Sequence, residues 1–198
     1  MKLQLISQAQ KLLIDNPQDP MHGITHHYRV VGLAKQIVEA EQLHLDKNLL
    51  EVVCWWHDVH VPEAEQKDGE RIVAATARFL QNLLPGELQK VGYDAVANHE
   101  FGSTPETLVG KVLQDADKLE ILSEPRVDEA VDNVLAGNLD AQKMLQTLDD
   151  LKTGWLPKML DRYHFKFSKE YHQQKLPGFL GYLDSVRLKI ENSTVVGA

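Results

Sequence analysis

The chain has 198 residues, of which 43% are hydrophobic and 25% charged, so it is long and apolar enough for one globular domain with a full core. Its formal net charge of -8 at pH 7 excludes a large nucleic-acid-binding surface, because such a surface needs a concentration of basic residues. A small phosphorylated partner is not excluded, since a bound divalent cation can reverse the local field. No apolar run approaches the ~18 residues of a membrane span, and no membrane partner is predicted.

The sequence predicts a cytoplasmic protein. The N-terminal residues begin directly with an amphipathic pattern and show neither the apolar stretch nor the small-residue cleavage site of a secretory signal. The single cysteine, Cys54, has no internal disulfide partner, which fits a reducing compartment. Because Cys54 lies in the apolar run Val52-Val53-Cys54-Trp55-Trp56, we expect a buried core residue and not a nucleophile.

Helical periodicity dominates the first half of the chain, and no run shows convincing strand alternation. The apolar positions predict helices over residues 2–15, 25–44, 47–58, 69–83 and 86–97. Asn16-Pro17 ends the first helix, and Asp46 is the expected N-cap of the third. The third helix is apolar nearly all round, which indicates the centre of the fold. Residues 60–68 are polar and predict a loop.

In the second half, Ser103-Thr104-Pro105-Glu106 predicts a helix start, with Ser103 or Thr104 as the cap and a helix that runs to about residue 122. Residues 127–192 predict three or four helices with breaks near Gly137, Gly154 and Pro177. No repeat or linker divides the chain. The predicted fold is therefore all-α, a single-domain helical bundle of roughly eight to ten helices.

Histidine and aspartate residues recur at the ends and middle of these helices. The positions that stand out are His22, His26, His27, the pair His57-Asp58, His60, His99, Asp115 and Asp117. Each pattern is common by itself. However, Asp58 follows an apolar run and the two later aspartates alternate with apolar residues, and an uncompensated buried carboxylate is costly. A divalent cation would satisfy these carboxylate and imidazole groups together.

In chain order, the strings His26-His27-Tyr28-Arg29-Val30, Trp56-His57-Asp58 and Gln114-Asp115-Ala116-Asp117-Lys118-Leu119 resemble the HD-domain metal-dependent phosphohydrolase superfamily. The resemblance covers a motif core of about residues 20–125, and more loosely a helical C-terminal extension at about 126–192, within one domain of residues 1–198. It implies a helical bundle of the HD-domain type. Matching the motifs position by position implies the metal ligands His26, His57, Asp58 and Asp117.

By the same matching, His27 is not a ligand, and Asp115 either supports the ligands from outside or has a structural role. The resemblance implies one divalent metal ion. A set of two histidines and two aspartates suits Mn, Fe, Ni or Zn better than Mg, which prefers oxygen ligands.

The resemblance also implies the reaction: hydrolysis of a phosphoester or phosphoanhydride bond in a small phosphorylated substrate, by default a nucleotide, with water activated by the metal. Lys118, next to Asp117, and Arg29, three residues after His26, are the expected phosphate contacts. His99 is a further substrate-binding candidate, with a simple helix C-terminal interaction as the alternative.

The general base stays open at this point. The candidates are His60, Asp58 acting through the bound water and, third, Glu70. Some superfamily members carry an acidic residue a few positions after the His-Asp pair, and Glu63 does not match that pattern cleanly.

Two other functions remain open. One is a metal- or nucleotide-binding sensor of the same fold without turnover. The other is a two-metal phosphodiesterase or di-iron oxygenase, for which His60 and His99 would be the extra ligands. The sequence also leaves the oligomeric state open, including a homo-oligomer.

Overall fold

The computed structural model describes residues 1–17, 20–62, 64 and 70–196. Within them the regular structure is helical, apart from one isolated bridge between Phe101 and Ser103, so the predicted all-α class is confirmed. The chain divides into two compact units, Met1–Asp117 and Lys118–Ala198. The single domain predicted from the sequence stays a prediction. Glu63, Gly69 and most of the predicted loop at 60–68 lie outside the described residues.

The first unit consists of helices, four of which pack against the third. Their bounds are α1 (Lys2–Asp15), α2 (Ile24–Ala40), α3 (Lys47–Trp56), α4 (Ile72–Leu83), α5 (Leu88–Ala97) and α6 (Leu108–Glu120), with a 3₁₀ turn at Pro20–His22. Asp46 caps α3 as predicted, because its carboxylate accepts the backbone N–H groups of Asn48 and Leu49 at 2.8 and 3.0 Å. Trp56 is completely buried, and its indole N–H donates to the Leu5 carbonyl at 3.1 Å. The apolar helix α3 is thus central to this unit, as expected.

Two helix ends in this unit differ from the prediction because of left-handed backbone. Helix α2 stops at Ala40 and not at His44, since Gln42 has φ 52° and the Leu43 N–H bonds back to the Val38 carbonyl at 3.0 Å. Helix α5 begins at Leu88 because Gly86, its predicted first residue, has φ 49° and lies before the helix.

The predicted start of α6 at Ser103 or Thr104 is wrong. The helix begins at Leu108, and the Thr107 hydroxyl accepts the Gly110 N–H at 3.1 Å in the position of an N-cap. The carboxylate of Asp94 holds this start, accepting the N–H groups of Glu106 and Thr107 at 3.1 and 2.8 Å and the Thr107 hydroxyl at 2.6 Å. Burial raises the pKa of Asp94, but these hydrogen bonds outweigh it and lower the pKa. A side chain on α5 therefore decides where α6 begins.

The second unit is built from the remaining helical segments. They are α7 (Glu124–Leu135), α8 (Ala141–Asp150), a π-helical turn at Leu151–Trp155, α9 (Leu156–Met159), a 3₁₀ turn at Leu160–Arg162 and α10 (Lys166–Val196). The predicted break at Gly137 is confirmed, because Gly137 has φ 76° directly after α7.

The two other predicted breaks in this unit are wrong. Gly154 lies inside the π-helical turn, which joins α8 to α9 without interruption. Pro177 lies inside α10. Pro177 is exposed, and so is Gln173, whose carbonyl loses its N–H partner at the proline. None of the described helices is both long enough and apolar enough to cross a membrane.

Candidate metal centre

Three segments of the first unit bring imidazole and carboxylate groups together. His26 lies in the first turn of α2 on the same face as Val30 and Ile37, both of which are completely buried. His57 and Asp58 follow α3 directly, where its buried end leads into a turn. Asp117 lies in α6. The hydrophobic packing of these helices thus points four polar side chains inward.

The four groups converge on one small volume. One donor atom from each of His26, His57, Asp58 and Asp117 lies within 4.8 Å of the others. The Nε2 atoms of His26 and His57 are 3.1 Å apart, and they lie 3.6 and 3.3 Å from Asp58 Oδ2. Asp117 Oδ1 lies 3.6 Å from the first of these nitrogens and 3.7 Å from the second.

The orientation of His57 is fixed by the backbone of α3. Its Nδ1–H donates to the Cys54 carbonyl at 2.9 Å, so that the Nε2 lone pair of the neutral ring points at the cluster. His26 and His57 are completely buried side chains, and that of Asp117 is 9% exposed. The side chain of Asp58 is 23% exposed, which makes it the member of the cluster nearest to solvent.

The charges of the cluster are strongly coupled. Burial lowers the pKa of His57, but the carboxylates of Asp58 and Asp117 outweigh burial and raise it to about 10. For Asp58 the balance is reversed: burial raises its pKa, while the neighbouring imidazoles, His57 first, hold it well below its usual value. The carboxylates of Asp58 and Asp117 therefore stabilise a positive charge next to them.

These residues fit a divalent cation. Two ligands bound at about 2.1 Å to one ion lie about 3.0 to 3.4 Å apart, and the recorded separations of 3.1 to 3.7 Å are close to that range. The donor set combines two imidazole nitrogens and two carboxylates, and one nitrogen is already oriented by a backbone carbonyl, as is usual for metal-binding histidines. The buried cluster can hold a metal ion.

The neighbours of the predicted ligands have other partners. His27 lies with its Nδ1 3.0 Å from the Cys54 carbonyl and its ring stacked on Trp55, with ring centroids 5.7 Å apart. Burial, followed by the nearby imidazoles, lowers the pKa of His27 well below its usual value, which favours the neutral form of this ring. Asp115 is buried in α6 and is not part of the four-residue group.

His99 reaches the edge of the cluster. It is buried after α5, and its Nε2 lies 3.1 Å from Asp58 Oδ1, the oxygen opposite the one that faces His57. His60 instead lines a separate cavity of about 270 Å³ with Val61, Pro62, Ala64, Ile72, Ala75 and Thr76. Arg29 and Lys118 are partly buried, on α2 and α6. Their roles, like that of His60, stay predictions.

The apolar run before His57 is core, as expected. Cys54, Trp55 and Trp56 are buried, and burial raises the pKa of the Cys54 thiol. Two polar residues outside the cluster were not predicted to have a role: Asp94, which holds the start of α6, and Gln114, which bonds to the turn around His99. The available signal for Gln114 was weak: a polar side chain among the apolar positions of α6, one turn before Asp117.

Comparison with known proteins adds the fold class. No protein-family model matches the sequence, and no curated protein matches it significantly. Two solved structures are similar. A predicted HD superfamily hydrolase from an uncultured Thermotogales bacterium has 18% identity and a TM-score of 0.61, over 95% of this chain and 90% of its own. Bacillus subtilis YpgQ, solved in complex with ADP, has 19% identity and a TM-score of 0.63, over 98% and 100%.

The chain therefore shares the fold of these two structures, and the predicted helical bundle of the HD-domain type is confirmed. At these identities the likeness concerns the fold. The case for chemistry rests on the cluster of His26, His57, Asp58 and Asp117 in this chain.

Proposed function

We propose that this chain is a metal-dependent phosphohydrolase that cleaves a phosphoester or phosphoanhydride bond of a small phosphorylated substrate. The observation that carries the proposal is the convergence of four donor atoms within 4.8 Å of one another, in a largely buried cluster of side chains in an HD-type fold. His26, His57, Asp58 and Asp117 would hold one divalent ion there, and the mixed donor set favours Mn, Fe, Ni or Zn over Mg. Such an ion supplies Lewis-acid activation of water and of a phosphoryl group.

The protein residues would hold the metal ion and orient the substrate. Three of the four donors have side chains less than a tenth exposed, which fixes their positions, while Asp58, at 23%, borders the accessible side. Substrate would therefore approach past Asp58, whose Oδ1 lies 3.1 Å from His99 Nε2. Lys118 and Arg29 are proposed to contact the phosphate, because cationic groups offset the charge on its oxygens.

Among the candidate bases, Asp58 has the best support, since it is itself the most exposed member of the cluster. Glu70 is paired with Arg78 at 2.7 Å, which makes it less suited to accept a proton. His60 would have to act from the cavity that it lines.

We further propose a nucleotide as the substrate and the cytoplasm as the setting. The support for a nucleotide is that YpgQ, a protein of the same fold, was solved in complex with ADP. The support for a reducing compartment is the single, buried cysteine.

The test combines metal analysis with a substrate screen. Purified protein is analysed for bound metal, stripped with a chelator, reloaded separately with Mn²⁺, Fe²⁺, Ni²⁺, Zn²⁺ or Mg²⁺, and assayed for release of phosphate and pyrophosphate. The substrates are nucleoside mono-, di- and triphosphates, with sugar phosphates as the non-nucleotide control. We expect one ion per chain and turnover that the chelator abolishes. Metal without turnover on any substrate would instead identify a sensor, and two ions per chain would identify the two-metal alternative.

A further inference from the structure

The turn of residues 98–103, between α5 and α6, is held from inside by the amide of Gln114, and at its start Asn98 Nδ2 donates to Asp94 Oδ1 at 2.9 Å. Gln114 is only 8% exposed, and its Nε2 lies 3.1 Å from the carbonyl oxygen of Asn98, 3.2 Å from that of Glu100 and 2.9 Å from that of Ser103. Three carbonyl oxygens accept hydrogen bonds and cannot donate them, so only the NH₂ end of the amide can face this turn. Its two hydrogens are shared among the three acceptors.

His99 lies within the turn that Gln114 holds. Its imidazole is placed between two oxygens: Nδ1 lies 2.7 Å from the Val96 carbonyl, and Nε2 lies 3.1 Å from Asp58 Oδ1. The other oxygen of that carboxylate, Oδ2, lies 3.3 Å from His57 Nε2. The Asp58 carboxylate is thus divided, with one oxygen on His99 and the other toward the cluster.

A second residue also contacts this turn, but from the outside. Arg71 contacts Glu100 Oε2 at 2.5 Å and donates to the Ala97 carbonyl at 3.1 Å. The side chains of Arg71 and Glu100 are 53% and 44% exposed. Because exposed ion pairs contribute little, whereas buried amide hydrogen bonds are costly to lose, Gln114 contributes more to the turn than the Arg71–Glu100 ion pair does.

We propose that Gln114 is a positioning residue of the candidate metal centre. By holding the turn, it keeps His99 against Asp58 Oδ1, and this contact presents Oδ2 alone to the cluster. Gln114 lies one helical turn before Asp117 on α6, so the same helix supplies a ligand and fixes the orientation of another. The inference rests on the proposed function in one respect, that the cluster binds a metal.

The test uses Gln114→Glu, which keeps the length and shape of the side chain but turns an acceptor toward the three carbonyl oxygens. Gln114→Met removes the same donor without adding a charge, and replaces Gln114→Glu if that variant does not fold. The matched control is Thr107→Val, which removes the cap of α6 at the other end of the same connection. The Gln114 variant and Thr107→Val are each measured at a temperature chosen so that their free energies of unfolding are equal. Differences between them then do not come from overall stability.

Two measurements report the effect of the Gln114 substitution, one at His99 and one at the cluster. The first is the ¹⁵N and ¹H signals of the His99 imidazole in metal-free protein, assigned by their absence in His99→Gln. The second is the affinity for Mn²⁺ alone, measured by electron paramagnetic resonance. In the Gln114 variant we expect shifted His99 signals and a loss of Mn²⁺ affinity of about 10- to 100-fold, the usual cost of losing the support of a metal ligand. In Thr107→Val both should stay as in the wild type.

Unchanged His99 signals in the Gln114 variant would overturn the proposal, as would an equal loss of affinity in Thr107→Val at matched stability. If the wild type binds Mn²⁺ but hydrolyses nothing, the proposed function fails and this inference is still decided by both readouts. If the wild type binds no Mn²⁺, the metal centre fails, and the His99 signals alone decide whether Gln114 positions His99 on Asp58.

Discussion

Each of the two units buries a histidine almost completely, and the two imidazoles meet different partners. His57, in the first unit, faces the carboxylates of Asp58 and Asp117 at 3.3 and 3.7 Å. His172, in the second, has its Nδ1 3.1 Å from the Tyr163 hydroxyl and a further hydrogen bond with the backbone of Leu156. Burial lowers the pKa of both rings, but only for His57 do carboxylates reverse the balance.

The difference shows what makes a buried histidine a candidate ligand. Burial alone leaves a neutral imidazole that a phenol and a backbone group can satisfy, as at His172. When carboxylates converge on a buried imidazole, they stabilise a positive charge at that place, as at His57. Four changes test this comparison.

The largest effect is expected from Asp117, one of the two carboxylates that His57 faces and that His172 lacks. Asp117→Asn keeps the shape of the side chain but removes its charge. We expect Mn²⁺ affinity to fall by at least about 100-fold and kcat/KM for the substrate found in the screen by about 1,000-fold, since a metal contributes several kcal/mol to such a reaction. Isothermal titration with Mn²⁺ and steady-state kinetics measure the two quantities. Asp115→Asn, two residues away on the same helix, is the control and should lose far less of either.

The next effect distinguishes adjacent histidines on α2. Mutating a residue that supports a metal ligand typically lowers metal affinity by about 10- to 100-fold. His26→Gln, which removes a proposed ligand itself, should lower Mn²⁺ affinity by more than that. His27→Gln removes a ring that stacks on Trp55 and bonds to the Cys54 carbonyl, so it should lower the free energy of unfolding while changing the affinity less. Affinities and unfolding curves of the two variants, measured side by side, give the answer. A larger loss of affinity in His27→Gln would exchange their roles.

The comparison also shows what can be predicted from sequence. Local signals placed α1 correctly, because Asn16-Pro17 stops it, and Asp46 was correctly identified as the cap of α3. The start of α6 was missed because Asp94, on another helix, competes with the local signal at Ser103. The prediction of a break at Pro177 was wrong because the sequence does not reveal that Pro177 lies on an exposed face of α10.

For the site, the residue types predicted a metal cluster, but the choice between neighbours required the family resemblance. His26 and His27 are both completely buried, and so, nearly, are Asp115 and Asp117. Periodicity therefore cannot separate them: which atoms converge depends on how three helices pack. Gln114 was missed for the same reason, since its role comes from a turn that follows a different helix.

The third prediction is that the two histidines affect stability with opposite pH dependence in metal-free protein. The pKa of His57 is raised from its ordinary 6.5 to about 10, so its contribution is complete below pH ~6.5 and is lost as the pH rises through about 10. The pKa of His172 is lowered, so its neutral form is favoured above pH ~6.5 and stability is lost as the pH falls below that value.

The measurement is the free energy of unfolding of the wild type, His57→Gln and His172→Gln from pH 5 to about 10 by urea denaturation. The advantage of the wild type over His57→Gln should shrink by ~4 kcal/mol between pH ~6.5 and about 10. Its advantage over His172→Gln should shrink on the acid side and by less. Parallel curves for the two variants would show that the carboxylates around His57 do not set its charge.

The smallest effect is expected at the second histidine. Tyr163→Phe removes the hydroxyl that lies 3.1 Å from His172 Nδ1 and should lower the free energy of unfolding by about 1 kcal/mol, the typical net value of one hydrogen bond. Because this pair contains no carboxylate, Mn²⁺ affinity should equal that of the wild type, which titration of the variant and the wild type checks. A loss of affinity here would mean that the second unit contributes to metal binding, and a buried histidine without acidic partners would then be functional after all.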